Sequence, residues 1–111
     1  MASGIFHVDF QASTGDHGDG LVVVKDGAVN GGDSHYLYQG RVPAETGPFE
    51  SRFTVGKWRD GNKNVVGVDN YTLLAKGNVN YEAGTIELQG AVAGAPQLTI
   101  RLKGTKIRDA L

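Results

Sequence analysis

The residues best able to do chemistry in this 111-residue chain lie near its start. The stretch TGDHGDG places Asp16, His17 and Asp19 close together in sequence. Carboxylate and imidazole groups at this spacing could seed a transition-metal site, whereas a calcium loop needs more oxygen ligands and a distant Glu. Asp and Gly are also good turn formers. We therefore interpret residues 14–20 as a solvated turn without a metal ligand, and the transition-metal site is the alternative.

Catalytic patterns are weaker still. His7 and Asp9 share one face of the alternating stretch GIFHVDFQA, but a Ser-His-Asp arrangement also needs a nucleophile, and no G-x-S-x-G motif occurs. All three histidines, His7, His17 and His35, fall on polar strand faces or in turns, where surface roles are expected. Glycine loops typical of nucleotide binding are absent. The sequence predicts neither an enzyme nor a cofactor.

The charge balance argues against several partners. Lys and Arg number 11 against 12 Asp and Glu, so the basic surplus typical of nucleic-acid binding is missing and direct binding of DNA or RNA is not expected. The absence of cysteine excludes disulfides and thiolate zinc sites. No apolar run reaches the length of a membrane span, and MASGIFHVDF lacks the features of a signal peptide. A cytoplasmic location is the resulting expectation.

Glycine and apolar periodicity together predict the fold. The 17 glycines are spread along the chain, where they oppose helices and suit turns and bent strands. Apolar residues alternate with period two, which is typical of strands with one buried face. The predicted strands are 4–12, 21–27, 28–30, 35–42, 49–58, 71–81, 85–93 and 97–107.

Turns are predicted between these strands, including 31–33, 43–48 and 94–96. The connection 59–70 is the longest and holds the only candidate for a helical turn. Because most links are hairpin-sized, we expect one all-β domain over residues 1–111, an eight-stranded antiparallel up-and-down β-barrel, with a frayed tail over about 108–111.

Five predicted strands each carry an internal glycine: Gly40, Gly56, Gly77, Gly90 and Gly104. Such glycines let a sheet bend sharply, as a small barrel requires. They also leave space inside, and an eight-stranded barrel is wide enough to be filled by side chains or to hold one small ligand.

The residues expected to face inward are mostly apolar or aromatic. They form either a packed core, which is our preferred interpretation, or the lining of an apolar cavity in which tyrosine hydroxyls meet a polar group. These candidates are Phe6, Val8, Phe10, Tyr36, Tyr38, Phe53, Val55, Tyr71, Leu73, Ile86, Leu88, Leu98, Ile100 and Leu102.

The opposite strand faces carry a few apolar residues among polar ones, namely Ile5, Leu37, Trp58 and Leu74. An exposed apolar patch often marks an interface, and closed two-fold dimers are the commonest assembly. A homodimer is therefore predicted.

Several pieces occur in a recognisable order: GIFHVDF, the glycine-rich GDHGDG, a strand ending in Asp-Gly, then GGD and YQG. This run resembles the GrlR family, small negative regulators of type III secretion, most strongly over residues 4–42. The resemblance implies a lipocalin-like (calycin) barrel that is dimeric and not an enzyme. The type member silences a transcriptional activator by binding it, and the family barrel has an apolar interior able to take a lipid-like molecule.

The resemblance also interprets the stretch GGDSHYLYQG. Gly31 and Gly32 would allow a tight reversal into a barrel strand, Asp33 would cap the turn, and Tyr36 and Tyr38 would face the interior.

One departure from the family pattern concerns the partner. The type member carries an acidic run just after its Y-x-G strand, whereas this chain reads RVPAETGPFE, with only Glu45 in the loop and Glu50 further on. A charge-based grip on a basic partner would be weaker here. We predict a regulator that binds a protein partner, such as a transcriptional activator of secretion genes. The alternative is a barrel that binds a small apolar or lipid-like ligand.

Overall fold

Eight antiparallel strands make up most of the computed structural model, which describes residues 3–61 and 68–111. The strands are β1 Gly4–Ala12, β2 His17–Lys25, β3 Ala28–Gly32, β4 Tyr36–Arg41, β5 Gly47–Lys57, β6 Asn70–Asn80, β7 Thr85–Val92 and β8 Ala95–Arg108. Each strand pairs with the next, and β8 pairs with β1, so the sheet closes. The predicted all-β, eight-stranded up-and-down barrel is confirmed, and the described residues contain no helix.

Alternation of apolar and polar residues decides which side chains fill the barrel. On β1, Phe6 and Val8 are buried, while Asp9 between Val8 and Phe10 points outward. The same alternation along the other strands builds one continuous core. Its buried members include Val22, Val24, Val29, Val42, Phe53, Leu73, Ala75, Val79, Ile86, Leu88, Val92 and Ile100. Burial of this apolar surface is the main force that closes the sheet.

Two internal glycines stand where chains approach closely. A Cβ at Gly40 would lie 2.3 Å from Cδ2 of the Phe53 ring, and a Cβ at Gly77 would lie 2.0 Å from the carbonyl oxygen of Glu87. The ring of Phe53 therefore fills the space beside Gly40. Gly77 instead lets the β6 and β7 backbones meet.

The glycine-rich stretch 14–20 is shorter as a turn than predicted. β2 begins at His17, and a hydrogen bond from Ala12 N to Asp16 O (2.9 Å) closes the actual turn. Gly18 belongs to the strand because it pairs with Phe10 of β1, and a Cβ at Gly18 would lie 2.4 Å from the Phe10 ring. The glycine makes room for an aromatic side chain and does not reverse the chain.

The stretch GGD departs from the prediction in the same way. Gly31 and Gly32 are the last residues of β3 and pair with Tyr38 and Leu37 of β4, so they do not form the reversal. A Cβ at Gly31 would lie 2.1 Å from the carbonyl oxygen of Leu21, which explains the need for glycine inside the strand. The chain turns over residues 33–35 instead.

Two other predicted turns are also shortened by strand pairing. Gly47 and Pro48 belong to β5, opposite Val79 and Asn78, so the turn predicted at 43–48 ends earlier. β8 starts at Ala95, inside the turn predicted at 94–96. The helical turn considered within 59–70 falls largely on residues 62–67, which lie outside the described residues.

The Asp-Gly hairpin between β2 and β3 is confirmed. Asp26 and Gly27 both have positive φ, 52° and 80°, which is the backbone of a type I′ turn. At the other end of the chain, Arg108 is still part of β8, so only residues 109–111 extend beyond the barrel. Lys25 donates a hydrogen bond to the carbonyl oxygen of Leu111 (2.7 Å), and fraying of this tail stays a prediction.

Candidate functional site

The barrel encloses an apolar cavity of about 70 Å³. Pockets that bind small molecules usually measure about 300 to 1,000 Å³, so side chains fill most of this interior. The predicted inward residues that line the cavity are Val8, Phe10, Tyr38, Phe53, Val55, Tyr71, Leu73, Ile86, Leu88, Ile100 and Leu102. A role for them in holding a ligand stays a prediction.

Three of the predicted inward residues lie away from the cavity. Phe6 and Tyr36 are buried elsewhere in the barrel, and Leu98 is partly buried against the core. Three cavity residues were missed: Val22, Val29 and Val42. Val22 sits in the unbroken apolar run LVVV, where alternation cannot tell one face from the other, and only its pairing with Phe6 fixes its side.

The polar groups at the cavity are tyrosine hydroxyls. Tyr38 donates a hydrogen bond to Asp33 Oδ2, and its ring makes an edge-to-face contact with Phe10 at a centroid distance of 5.9 Å. Burial, followed by the hydrogen bond to Asp33, raises the pKa of Tyr38 far above its ordinary value of 10.0. The described lining holds no acid, base or nucleophile besides the hydroxyls of Tyr38 and Tyr71.

Asp33 holds the turn that leads into β4. Its Oδ1 accepts hydrogen bonds from the backbone N–H groups of His35 (2.9 Å) and Tyr36 (2.8 Å), while Oδ2 accepts from Tyr38. The predicted cap by Asp33 is confirmed, and so is the inward direction of Tyr36 and Tyr38. One carboxylate thus fixes both the turn and a core tyrosine.

An apolar patch lies on the outside of the barrel over β1 to β4, and we call it the outer apolar face: Ile5, Leu21, Val23 and Leu37. Ile5 and Val23 are direct cross-strand partners. Leu21 and Leu37 both pair with Gly32, which has no side chain to separate them. Leu21 and Leu37 remain about half exposed, at 48% and 52%.

The other predicted outward residues divide between two places. Trp58 follows β5 beside this region, since its backbone N–H donates to the carbonyl oxygen of His35. Leu74 lies on β6 opposite Arg52 and is separate from the outer apolar face. A groove of about 480 Å³ extends from Leu37 across β5 to β6, so a depression in the surface borders the outer apolar face at Leu37.

The two acidic candidates for a partner-binding loop, Glu45 and Glu50, lie in different elements of the structure. Glu45 is exposed in the connection between β4 and β5, but Glu50 lies within β5 and forms an ion pair with Lys76 (3.4 Å). Only Glu45 therefore presents an acidic side chain from this loop.

Strand pairing decides which of the histidine and aspartate candidates lie close together. His7 and Asp9 lie together on the outer face of β1, and Asp19 of β2 is directly opposite Asp9. His7 Nε2 is 2.9 Å from Asp19 Oδ2, and this hydrogen bond raises the pKa of His7 above its ordinary value of 6.5. His17 instead pairs with Gln11, and the fold does not bring together Asp16, His17 and Asp19, the metal site considered as the alternative from the sequence.

A broad groove of about 730 Å³ is lined by residues of β6, β7, β8, β1 and the start of β2. Its charged residues are Lys76, Arg101 and Lys103 together with Asp9 and Glu87. Because the two signs alternate across the strands, the groove has little preference for one sign of charge.

The part of the chain that the structure describes has no helix long and apolar enough to span a membrane.

Comparison with known proteins assigns the chain to a family. The sequence matches the model of a family described as the type III secretion negative regulator GrlR, over residues 1–109. No curated protein matches the chain. The family match extends the resemblance found over residues 4–42 to nearly the whole chain.

Proposed function

The chain belongs to the GrlR family of negative regulators of type III secretion, and from this premise we propose that it acts by binding a protein partner. The partner proposed is a transcriptional activator of secretion genes, held inactive in the cytoplasm. The outer apolar face is the observation that carries this proposal. The protein would regulate without chemistry of its own.

The outer apolar face has the composition of a binding surface. Three of its four residues, Leu21, Val23 and Leu37, are at least 40% exposed, and they lie near one another on the closed sheet. Leaving such a patch in water is unfavourable, and contiguous apolar surface typically marks a protein contact. In the absence of its partner, we propose that two copies cover this face against each other as a homodimer.

The proposed contact is apolar and only weakly ionic. Glu45 stands alone in its loop, and Glu50 is already engaged by Lys76. A single exposed carboxylate contributes little attraction to a basic partner at physiological salt. Shape and apolar area, more than charge, would select the partner.

The test compares two leucines that are both exposed on the outside of the barrel. Leu37→Glu places a charge in the outer apolar face, while Leu74→Glu places the same charge on β6, where the exposed fraction is similar (52% and 44%). A reporter driven by a secretion activator is co-expressed with each variant. We expect the wild type and Leu74→Glu to repress the reporter, and Leu37→Glu to lose repression.

Light scattering on the purified proteins gives a second measurement. The wild type and Leu74→Glu should have the mass of a dimer, and Leu37→Glu the mass of a monomer. Repression by Leu37→Glu equal to that of the wild type would overturn the assignment of this face. Circular dichroism must show that both variants retain the fold.

Binding of a small apolar ligand is the second candidate function. The cavity lining is almost entirely apolar, which favours such a ligand. Its volume of about 70 Å³ limits the occupant to a few heavy atoms unless the barrel widens. A lipid-sized molecule that copurifies with the protein would favour this second function.

A further inference from the structure

One cluster outside the outer apolar face combines the donor groups of a metal site. His7 and Asp9 are two residues apart on the outer side of β1, and Asp19 comes from the neighbouring strand β2. One donor atom from each of the three residues can be chosen so that all lie within 4.8 Å of one another. The pairing of β1 with β2 fixes the three backbone positions, so the side chains meet without a flexible loop.

Two carboxylates of this cluster face each other across the β1–β2 pair. Asp9 and Asp19 are direct cross-strand partners, and like charges placed opposite each other are unfavourable. On its other side Asp9 faces Lys103 of β8, but within residues 3–61 and 68–111 no ion pair joins that ammonium to either carboxylate. Among the described residues, the imidazole of His7 is the group that lies between the two acids, with Nε2 2.9 Å from Asp19 Oδ2 and Nδ1 3.7 Å from Asp9 Oδ2.

The donor set selects the class of ion. Mg²⁺ and Ca²⁺ prefer shells made only of oxygen, and Ca²⁺ takes six or more ligands. One imidazole nitrogen with two carboxylate oxygens suits a divalent transition metal, with water in the remaining positions. Ligands bound at about 2.0–2.2 Å to one zinc ion lie roughly 3 Å apart, a spacing that rotation of these partly exposed side chains can reach.

We propose that His7, Asp9 and Asp19 form a surface binding site for a divalent transition-metal ion, of which Zn²⁺ is the best probe. The ion would join β1 to β2 and relieve the repulsion between the two carboxylates. We infer this site independently of the proposed regulatory function, although the site borders the outer apolar face, since His7 pairs with Leu21.

Zn²⁺ binding is measured by isothermal titration calorimetry at about pH 8, on the alkaline side of the ordinary imidazole pKa, because a proton on His7 competes with the ion. We expect one ion per chain for the wild type and at least a tenfold loss of affinity in His7→Ala and in Asp19→Asn. Zn²⁺ should also raise the melting temperature of the wild type but not of these variants. All three side chains are on the surface, so the variants should fold, and circular dichroism checks this.

The matched controls are Asp16→Asn and His17→Ala, which alter the neighbouring acid and imidazole that the sequence also offers. Both should bind Zn²⁺ as the wild type does. If His17→Ala loses binding while His7→Ala retains it, the ion sits at the start of β2, and the proposal is wrong. Absence of Zn²⁺ uptake by the wild type throughout the titration would overturn it as well.

A measurement on the wild type alone avoids any dependence on variants. Co²⁺ is paramagnetic and broadens the NMR signals of nearby protons, so substoichiometric Co²⁺ should broaden the ring signals of His7 first. Preferential broadening of His17 or His35 would contradict the assignment.

Discussion

Replacing Gly77 by alanine tests the packing of the barrel wall most sharply. The new Cβ would lie 2.0 Å from the carbonyl oxygen of Glu87 and 2.8 Å from Cα of Leu88. Both are backbone atoms, so no side-chain rotation relieves the collision, and β6 must move away from β7. Overpacking of this kind costs about 1–3 kcal/mol, and the lower entropy of the unfolded alanine chain offsets about 0.4–1 kcal/mol. We expect Gly77→Ala to lower the free energy of unfolding by roughly 1–2 kcal/mol.

Gly56→Ala is the matched control, because Gly56 also lies within a long strand. Its added Cβ would meet only the side-chain oxygen Oδ1 of Asn70, at 3.2 Å, and that side chain can move. The control should therefore change the free energy of unfolding by less than about 0.5 kcal/mol or slightly raise it.

Urea unfolding followed by circular dichroism measures both variants. The slope of the free energy against urea should be the same for all three proteins, since the surface exposed on unfolding is unchanged. Each kcal/mol lost should lower the melting temperature by about 4–8 °C. Equal unfolding midpoints for Gly77→Ala and Gly56→Ala would refute the close approach of β6 and β7.

Three further predictions follow from side-chain environments. Val79 is fully buried, so Val79→Ala should lower the free energy of unfolding by about 2 kcal/mol, measured by thermal unfolding. An unchanged melting temperature would contradict the place of Val79 in the core. The folded-state pKa of Tyr38 is raised above 10.0, so its stabilising effect is complete below pH 10.0 and is lost as pH rises further. Alkaline unfolding should therefore be less steep in Tyr38→Phe than in the wild type. Lys76 and Glu50 form an ion pair with both side chains exposed, so Glu50→Gln should cost under about 1 kcal/mol at low salt and nothing measurable at high salt.

Much of the barrel could be predicted from the sequence because the information is local. The alternation that buries Phe6 and Val8 repeats along strand after strand, and Asp26-Gly27 is a short-range hairpin signal. These patterns give the number of strands, their antiparallel order and most of the inward residues. Short links place each strand beside the next, and the barrel closes when the first and last strands, β1 and β8, pair with each other.

Glycine was the main source of error because one residue type serves two purposes. The sequence pattern predicts turns at Gly18 and Gly31, but both lie within strands where a ring or a neighbouring backbone takes the place of a side chain. The sequence around a glycine is similar in both cases. Only the position of the partner strand tells them apart.

The candidate sites were less predictable because they depend on contacts between strands. Leu21 and Leu37 are distant in sequence and become neighbours across Gly32. Asp19 was grouped with His17 by proximity in the chain, whereas pairing of β1 with β2 brings it to His7. A register between strands is needed before either surface can be recognised.

Native mass spectrometry of the gently purified protein tests the central claim, that the chain works through its outer surface and not through a ligand held inside. It reports the number of copies and any retained molecule together. The account predicts a dimer of the 11.7-kDa chain without a lipid-sized adduct. A monomer that reproducibly retains a lipid-sized molecule would contradict it.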